Sequence, residues 1–198
     1  MIQTTLDRLE GLVPAERILV VTGQRLVEKI AEQVPELPEA SIIGEPCRRD
    51  TAPCIGLAAL LCVQEDPEAT MVVMPADHVI EQSEAFRQAV RQAAALVDDL
   101  PDRIVTFGIR PTYPAESFGY IERGNAIESN GQGNGSPTYQ VKQFREKPQA
   151  DVARSYFEAG TFYWNSGIFV WKAATILEEL RRRQPEMLSH LRTIAEHR

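Results

Sequence analysis

Long hydrophobic runs are missing from this 198-residue chain. No stretch approaches the roughly 20 apolar residues that span a bilayer, and the polar, amphipathic segment after Met1 is not a signal peptide. A membrane protein is therefore not expected, and the cytoplasm is the default location. Positive charge is also scarce: 21 Lys and Arg stand against 28 Asp and Glu, a formal net charge of -7. That balance argues against nucleic acid or an anionic membrane as a general partner. It still allows a local cationic pocket for a small phosphorylated molecule. Cysteine is sparse as well. Cys47, Cys54 and Cys62 are odd in number, lack close paired spacing and have no histidine pattern beside them, so they offer no zinc site. Cys54 and Cys62 read as small core residues on one helix. No internal repeat is present.

What remains is ordinary for a soluble globular domain. The chain is 43% hydrophobic and 25% charged, and its length suits a single domain with a substantial core. Ile2, Leu6 and Leu9 recur at helical spacing up to Pro14, predicting a first amphipathic helix. Arg17 to Gly23 reads as a strand, Gln24 to Val34 as a helix, Ser41 to Pro46 as a strand, and Thr51 to about Gln64 as a helix N-capped by Thr51 with Pro53 in its first turn. Met71-Val72-Val73-Met74 is a continuous apolar run of strand length, stopped by Pro75 and followed by Ala76-Asp77-His78. It predicts a buried parallel strand that delivers Asp77 to its carboxyl end, where ligands bind in open α/β sheets. Ser83 is the expected cap of the next helix, with Phe86, Val90, Ala94 and Val97 as its inner stripe.

Strand and helix alternating in this way give the expected fold class: α/β, Rossmann-like, a mostly parallel central sheet with helices on both faces. After Asp102 the pattern changes. Arg103 to Ile109, Gly119 to Arg123, Tyr139 to Arg145 and Gly160 to Trp171 are separated mainly by turns, predicting an antiparallel extension. Gly124 to Pro137, rich in Gly, Asn and Ser, reads as a hairpin loop. Asp151 to Ala159, Lys172 to Arg183 and Pro185 to Arg198 read as helices.

Four clusters fall at predicted strand ends or turns. They are Glu45-Pro46 with Arg49-Asp50-Thr51-Ala52-Pro53, then Pro75-Ala76-Asp77-His78, then Phe144 with Glu146-Lys147-Pro148, then Trp164-Asn165-Ser166-Gly167-Ile168-Phe169. They supply a carboxylate suited to a hard cation, a helix start rich in backbone donors, and a Glu-Lys pair held by proline. Together these suit a phosphorylated, hydroxylated ligand with a divalent metal. Each has a plainer reading: Asp77 as a turn residue, Arg49 as a surface partner of Asp50, Trp164 as core packing, and Glu146 with Lys147 as a solvated charge pair. His78 is a turn residue by preference, since a phosphate monoester nucleophile is already ionised at neutral pH and needs no base.

In this combination, with Thr106-Phe107-Gly108-Ile109 and Pro111, the sequence resembles the sugar-phosphate nucleotidyltransferases, and among them the branch that acts on mannose 1-phosphate. The resemblance runs from the first helix to about Met187. It implies a GT-A-like nucleotidyltransferase fold, transfer of GMP from GTP to mannose 1-phosphate, and Mg²⁺ as cofactor. By resemblance Asp77 holds Mg²⁺ near the α-phosphate, and Glu45 with Arg49, Asp50, Thr51, Ala52 and Pro53 lines the guanine pocket. Gly119, Glu146 and Asn165 contact the sugar, and Lys147 meets its phosphate. Two other readings stand beside this one: a noncatalytic sugar-nucleotide-binding module, and the same chemistry on another sugar or base.

Departures from the family pattern carry expectations of their own. Family members begin with a strand and a glycine-rich phosphate loop, and continue past the last helix to a second metal-binding aspartate and a further domain. This sequence opens at the first helix and closes at Arg198. Weakened activity, strands with unpaired edges, lower stability and edge-to-edge self-association into a homo-oligomer are therefore expected. Asp50 stands where asparagine is more usual, and Ser117 where glycine is.

Overall fold

The alternating pattern builds an α/β architecture, which a computed structural model describes for residues 1–47, 50–127 and 136–197. In order along the chain come α1 (Ile2–Leu9), β1 (Val20–Gly23), α2 (Val27–Gln33), β2 (Ile42–Glu45), α3 (Thr51–Glu65), β3 (Thr70–Val73) and α4 (Ser83–Asp99). They are followed by β4 (Val105–Ile109), β5 (Tyr120–Ala126), β6 (Tyr139–Arg145), α5 (Ala150–Ala159), β7 (Phe162–Lys172), α6 (Ala173–Arg183) and α7 (Pro185–Glu196). Two compact units result, one of Met1–Ile104 with Val170–Arg198, the other of Val105–Phe169. Among the described residues, no helix is long and apolar enough to cross a membrane.

In the first unit β1 and β2 run parallel, with Val20 opposite Ile42 and Gly23 opposite Glu45. Successive side chains on a strand point to opposite faces, so a strand covered on both sides must be apolar at consecutive positions. Ile42 accordingly joins a core with Leu6, Val34 and Leu37, against which Val20 and Ile30 pack. Ile43 joins another with Leu57 and Leu191, against which Val21 and Leu60 pack. Helix α1 touches α2 and α4, while α3 touches β3, α6 and α7. Strand β3 pairs with β7, and the Ala173 amide donates to the Ala69 carbonyl at 2.9 Å. Among the described residues no ladder joins β1 to β3. Among the described residues β1 and β2 thus form a two-stranded parallel sheet, separate from the five-stranded sheet that holds β3.

In the second unit β5 is antiparallel to both neighbours, with Tyr120 opposite Arg145 on β6 and Trp164 on β7. β4 also pairs with β7. Tyr120 is fully buried and its hydroxyl donates to the Ala115 carbonyl at 2.9 Å. The Tyr156 ring lies against it and stacks on Phe162, with centroids 5.4 and 4.0 Å apart.

Local details depart from the sequence reading. Helix α1 stops at Leu9, well before Pro14, and the chain turns at Gly11 with φ 77. Arg87 and Arg91 of α4 donate to the carbonyls of Asp7, Arg8 and Gly11, at the end of α1 and just beyond it. Thr51 and Ser83 are not caps: Asp50 and Gln82 hold those positions, without side-chain capping bonds. In α4 it is the Gln82 carbonyl that opens the helix, accepting from the Phe86 amide at 3.0 Å. The buried stripe of α4 is Phe86, Val90, Ala93 and Val97; steps of four, three and four follow the 3.6-residue period, which Ala94 does not. Strand β5 runs on to Ala126, taking Gly124 out of the expected loop. Most of that loop, residues 128–135, lies outside the described residues.

Gly56 on α3 decides how closely its neighbours approach. A Cβ there would stand 2.7 Å from Leu191 Cδ1 and 2.8 Å from Leu180 Cδ1. Gly56→Val is expected to lower the unfolding free energy by about 1–3 kcal/mol through overpacking, read as a lower urea midpoint at unchanged slope.

Candidate functional site

The candidate residues form two groups, one in each unit. In the first unit, β2 ends at Glu45, and the chain re-enters helical structure at Asp50, the N-cap of α3. Arg49 lies outside the described residues. Asp50 has φ 57 and ψ -165, a region essentially reserved for glycine and costing about 1–3 kcal/mol for other residues. Exposed Thr51 and Ala52 and half-buried Pro53 form the start of α3, whose first amides have no intrahelical acceptor. Burial pushes the neighbouring Cys54 thiol pKa up, and the Glu45 carboxylate pushes it further in the same direction. Glu45 therefore sits beside the opening turn of α3. Cys62, farther along the helix, is also raised by burial, and both thiols are poor nucleophiles.

Asp77 lies exposed in the segment between β3 and α4. The backbone on either side of it is reached from α1. Thr5 Oγ1 is 3.1 Å from the Ala76 carbonyl and 3.2 Å from the Met1 carbonyl, donating to one at a time, and Arg8 Nη2 donates to the His78 carbonyl at 3.1 Å. Among the described residues, no three His, Cys, Asp or Glu side chains group to hold a metal. An all-protein cage therefore does not fit. Mg²⁺ commonly keeps several waters and is bound through one or two carboxylates plus substrate phosphates, so a single exposed carboxylate does fit an ion that arrives with a phosphorylated ligand.

The second unit brings Gly119, Glu146, Lys147 and Asn165 together. Asn165 donates its amide to the Gly119 carbonyl at 2.8 Å. A Cβ on Gly119 would stand 3.2 Å from Glu146 Oε2 and 3.5 Å from Phe144 Cζ, so glycine keeps open the space that this carboxylate faces. Asn165 Oδ1 accepts from the Gly167 amide at 3.2 Å. The Thr106 hydroxyl lies 3.3 Å from Asn165 Oδ1 and 3.0 Å from the Ile168 carbonyl, donating to one at a time. This orientation directs the Asn165 amide nitrogen, a donor, away from those bonds. Lys147 Nζ is 3.9 Å from Glu146 Oε1, and both side chains are 65% exposed. The pair is solvated and loosely held, leaving the ammonium able to meet an anion. Trp164 packs between Tyr113 and Phe118, with centroids 5.1 and 5.0 Å away.

Among the described residues only Asp50 and Lys147 combine a side chain with positive φ, 57 and 28. Both are candidate site residues, and strained backbone of this kind clusters at functional positions. Sequence reasoning missed Thr5 and Arg8, whose targets lie some 70 residues away; the three-residue spacing that puts them on one helix face was the available signal. The hollow of about 280 Å³ beside Lys172 contains none of the candidates. Its lysine is already held by Asp98 at 2.6 Å, a bond that keeps the Asp98 pKa low.

Known proteins share this chain's sequence and fold. It matches the family described as nucleotidyl transferase over residues 1–198. A mannose-1-phosphate guanylyltransferase of Escherichia coli K12 is 41% identical over 192 residues, covering 95% of this chain and 39% of the relative. One from Klebsiella pneumoniae is 38% identical over 190 residues, covering 95% and 39%. The chain thus spans about two fifths of these relatives. The solved structure of a mannose-1-phosphate geranyltransferase from Thermus thermophilus superposes with a TM-score of 0.81 at 30% identity, over 98% of this chain and 54% of that one. A mannose-6-phosphate isomerase from Helicobacter pylori gives 0.80 at 31%, over 98% and 70%.

The backbone at Asp50 is open to direct measurement. Asp50→Gly removes about 1–3 kcal/mol of strain and adds about 0.5–1 kcal/mol of unfolded-chain entropy. A gain near 1 kcal/mol in urea denaturation is expected; a variant no more stable than the parent shows that no strain is stored there.

Proposed function

The chain belongs to the nucleotidyl transferase family, and on that premise we propose that its protein transfers GMP from GTP to mannose 1-phosphate, giving GDP-mannose and pyrophosphate. The observation that carries this reading is the cluster of Gly119, Glu146, Lys147 and Asn165. It offers a carboxylate for hydroxyl groups, an amide donor, and a loosely held ammonium beside a space kept open by glycine. That set matches a sugar carrying a phosphate.

In the reaction, an oxygen of the sugar phosphate forms a bond to the α-phosphorus of GTP, and the bond from that phosphorus to the bridging oxygen breaks in line, releasing pyrophosphate. The nucleophile is already an anion, so His78 need remove no proton. The protein's work is positioning and neutralising charge. Gly119, Glu146 and Asn165 orient the sugar, and Lys147 offsets the charge of its phosphate. Glu45 accepts from base N–H groups, the start of α3 presents the backbone amides of Thr51 and Ala52 between Asp50 and Pro53, and Arg49 supplies a cation. Asp77 holds Mg²⁺, which when bound neutralises charge on the phosphates.

Pyrophosphate release from GTP and mannose 1-phosphate, assayed on the protein at its natural length, tests the proposal. Asp77→Asn is expected to lower turnover about 10²–10³-fold, and EDTA to abolish it. Gly119→Ala should raise KM for the sugar phosphate while sparing that for GTP. Calorimetric binding of GDP-mannose without turnover would reduce the protein to a noncatalytic binding module; neither binding nor turnover would sink the assignment.

A further inference from the structure

Helix α1 is only eight residues long, too short to persist alone in water. Its surroundings make it rigid. Arg87 on α4 donates to the Arg8 carbonyl at 3.1 Å and the Asp7 carbonyl at 3.2 Å. Gln3 Nε2 donates to the Gln33 carbonyl at 3.0 Å, while Leu6 is part of the core formed with Val34 and Ile42. The helix is thus tied to α4 and to the segment closing α2.

From this base two buried side chains reach the same short turn. Thr5 is 6% exposed and Arg8 2%. Their targets, the Ala76 and His78 carbonyls, are the two that flank Asp77. Burying a guanidinium is unfavourable unless its donors are engaged. Arg8 Nε and Nη1 find no partner among the described residues, so its polar gain there is the bond to His78, with the Phe86 ring 5.8 Å from the charge. A leucine or methionine would fill the same volume without that desolvation. Packing therefore does not account for an arginine here, and a hold on the 76–78 backbone does.

We infer that Thr5 and Arg8 are positioning residues, which hold the 76–77 and 78–79 peptide groups before and after Asp77 and so restrict the direction of its carboxylate. The inference rests on the proposed function for what Asp77 holds, but the clamp itself is a property of the polypeptide. Partners that orient a metal-binding side chain are worth about 10- to 100-fold in metal affinity when removed. Thr5 and Arg8 do this at one remove, through the main chain.

The test uses Thr5→Val, Thr5→Ser, Arg8→Met and Arg8→Lys in this chain, with circular dichroism confirming the fold. Amide ¹⁵N relaxation then reads the clamp without any ligand. Order parameters at the Asp77 amide in Thr5→Val and at the Val79 amide in Arg8→Met should fall from about 0.85 to below about 0.6, recover in Thr5→Ser, and stay unchanged outside residues 76–79. Unchanged order parameters in both variants overturn the inference. In calorimetry, GTP with Mg²⁺ should bind about 10- to 100-fold more weakly to Thr5→Val, while GTP in EDTA binds as before. Equal weakening with and without the metal means a merely structural role and overturns it too. If the unaltered chain binds no GTP, the proposed function fails while the relaxation data still decide the clamp.

Discussion

A strand covered on both faces can offer a ligand only its ends. That constraint bears on the first unit, where β2 and β3 are largely covered; in the second unit β6 is mostly exposed, and its site residues still stand at strand ends. Glu45 is the last residue of β2, Asp77 lies four residues beyond β3, Gly119 immediately precedes β5, and Glu146 immediately follows β6. Asn165 is the exception, since it lies inside β7. Its side chain turns back to accept from the Gly167 amide, and Gly167 takes φ 71, so the strand carries a local kink where glycine is needed. Mid-strand placement comes with a left-handed residue in a strand that otherwise runs on from Phe162 to Lys172.

What could be read in the sequence was whatever chemistry is local. The run Met71 to Met74 followed by proline and aspartate predicts a strand and what it delivers, because burial and termination both act on neighbouring residues. The Glu-Lys-Pro and Trp-Asn-Ser-Gly elements are compact for the same reason. Their gathering around Gly119 is not local, and only resemblance to a family could anticipate it. Thr5 and Arg8 showed only a shared helix face in the sequence, because the carbonyls they reach lie some 70 positions away. Caps were misjudged by one residue at both α3 and α4, since Thr and Ser suit caps by type while the backbone conformation of the preceding residue decides. Nothing in residue types announces that Asp50 and Lys147 have positive φ.

Charge is distributed with the same economy. The chain is acidic overall, yet its cations are not equivalent. On α6, Arg181, Arg182 and Arg183 sit 2.6–2.8 Å from Glu178 or Glu179, and hydrogen bonds from Arg181 and Arg182 bring the Glu178 pKa down to about 2. Those basic residues occupy the last turn, where the helix dipole favours positive charge. They are committed to local structure. Lys147, 3.9 Å from its nearest carboxylate oxygen, is not held in that way.

The absence of a ladder between β1 and β3 among the described residues has a mechanical side. A hydrogen-bonded sheet resists shear because many bonds must break in register. Here the first unit is joined across that interval by side chains of α1, α3 and α7, whose contacts are short-ranged. The β1–β2 pair is therefore held to the rest of its unit by helix packing, Ile42 against Leu6 of α1 and Ile43 against Leu57 of α3 and Leu191 of α7, while β3 is bonded to β7.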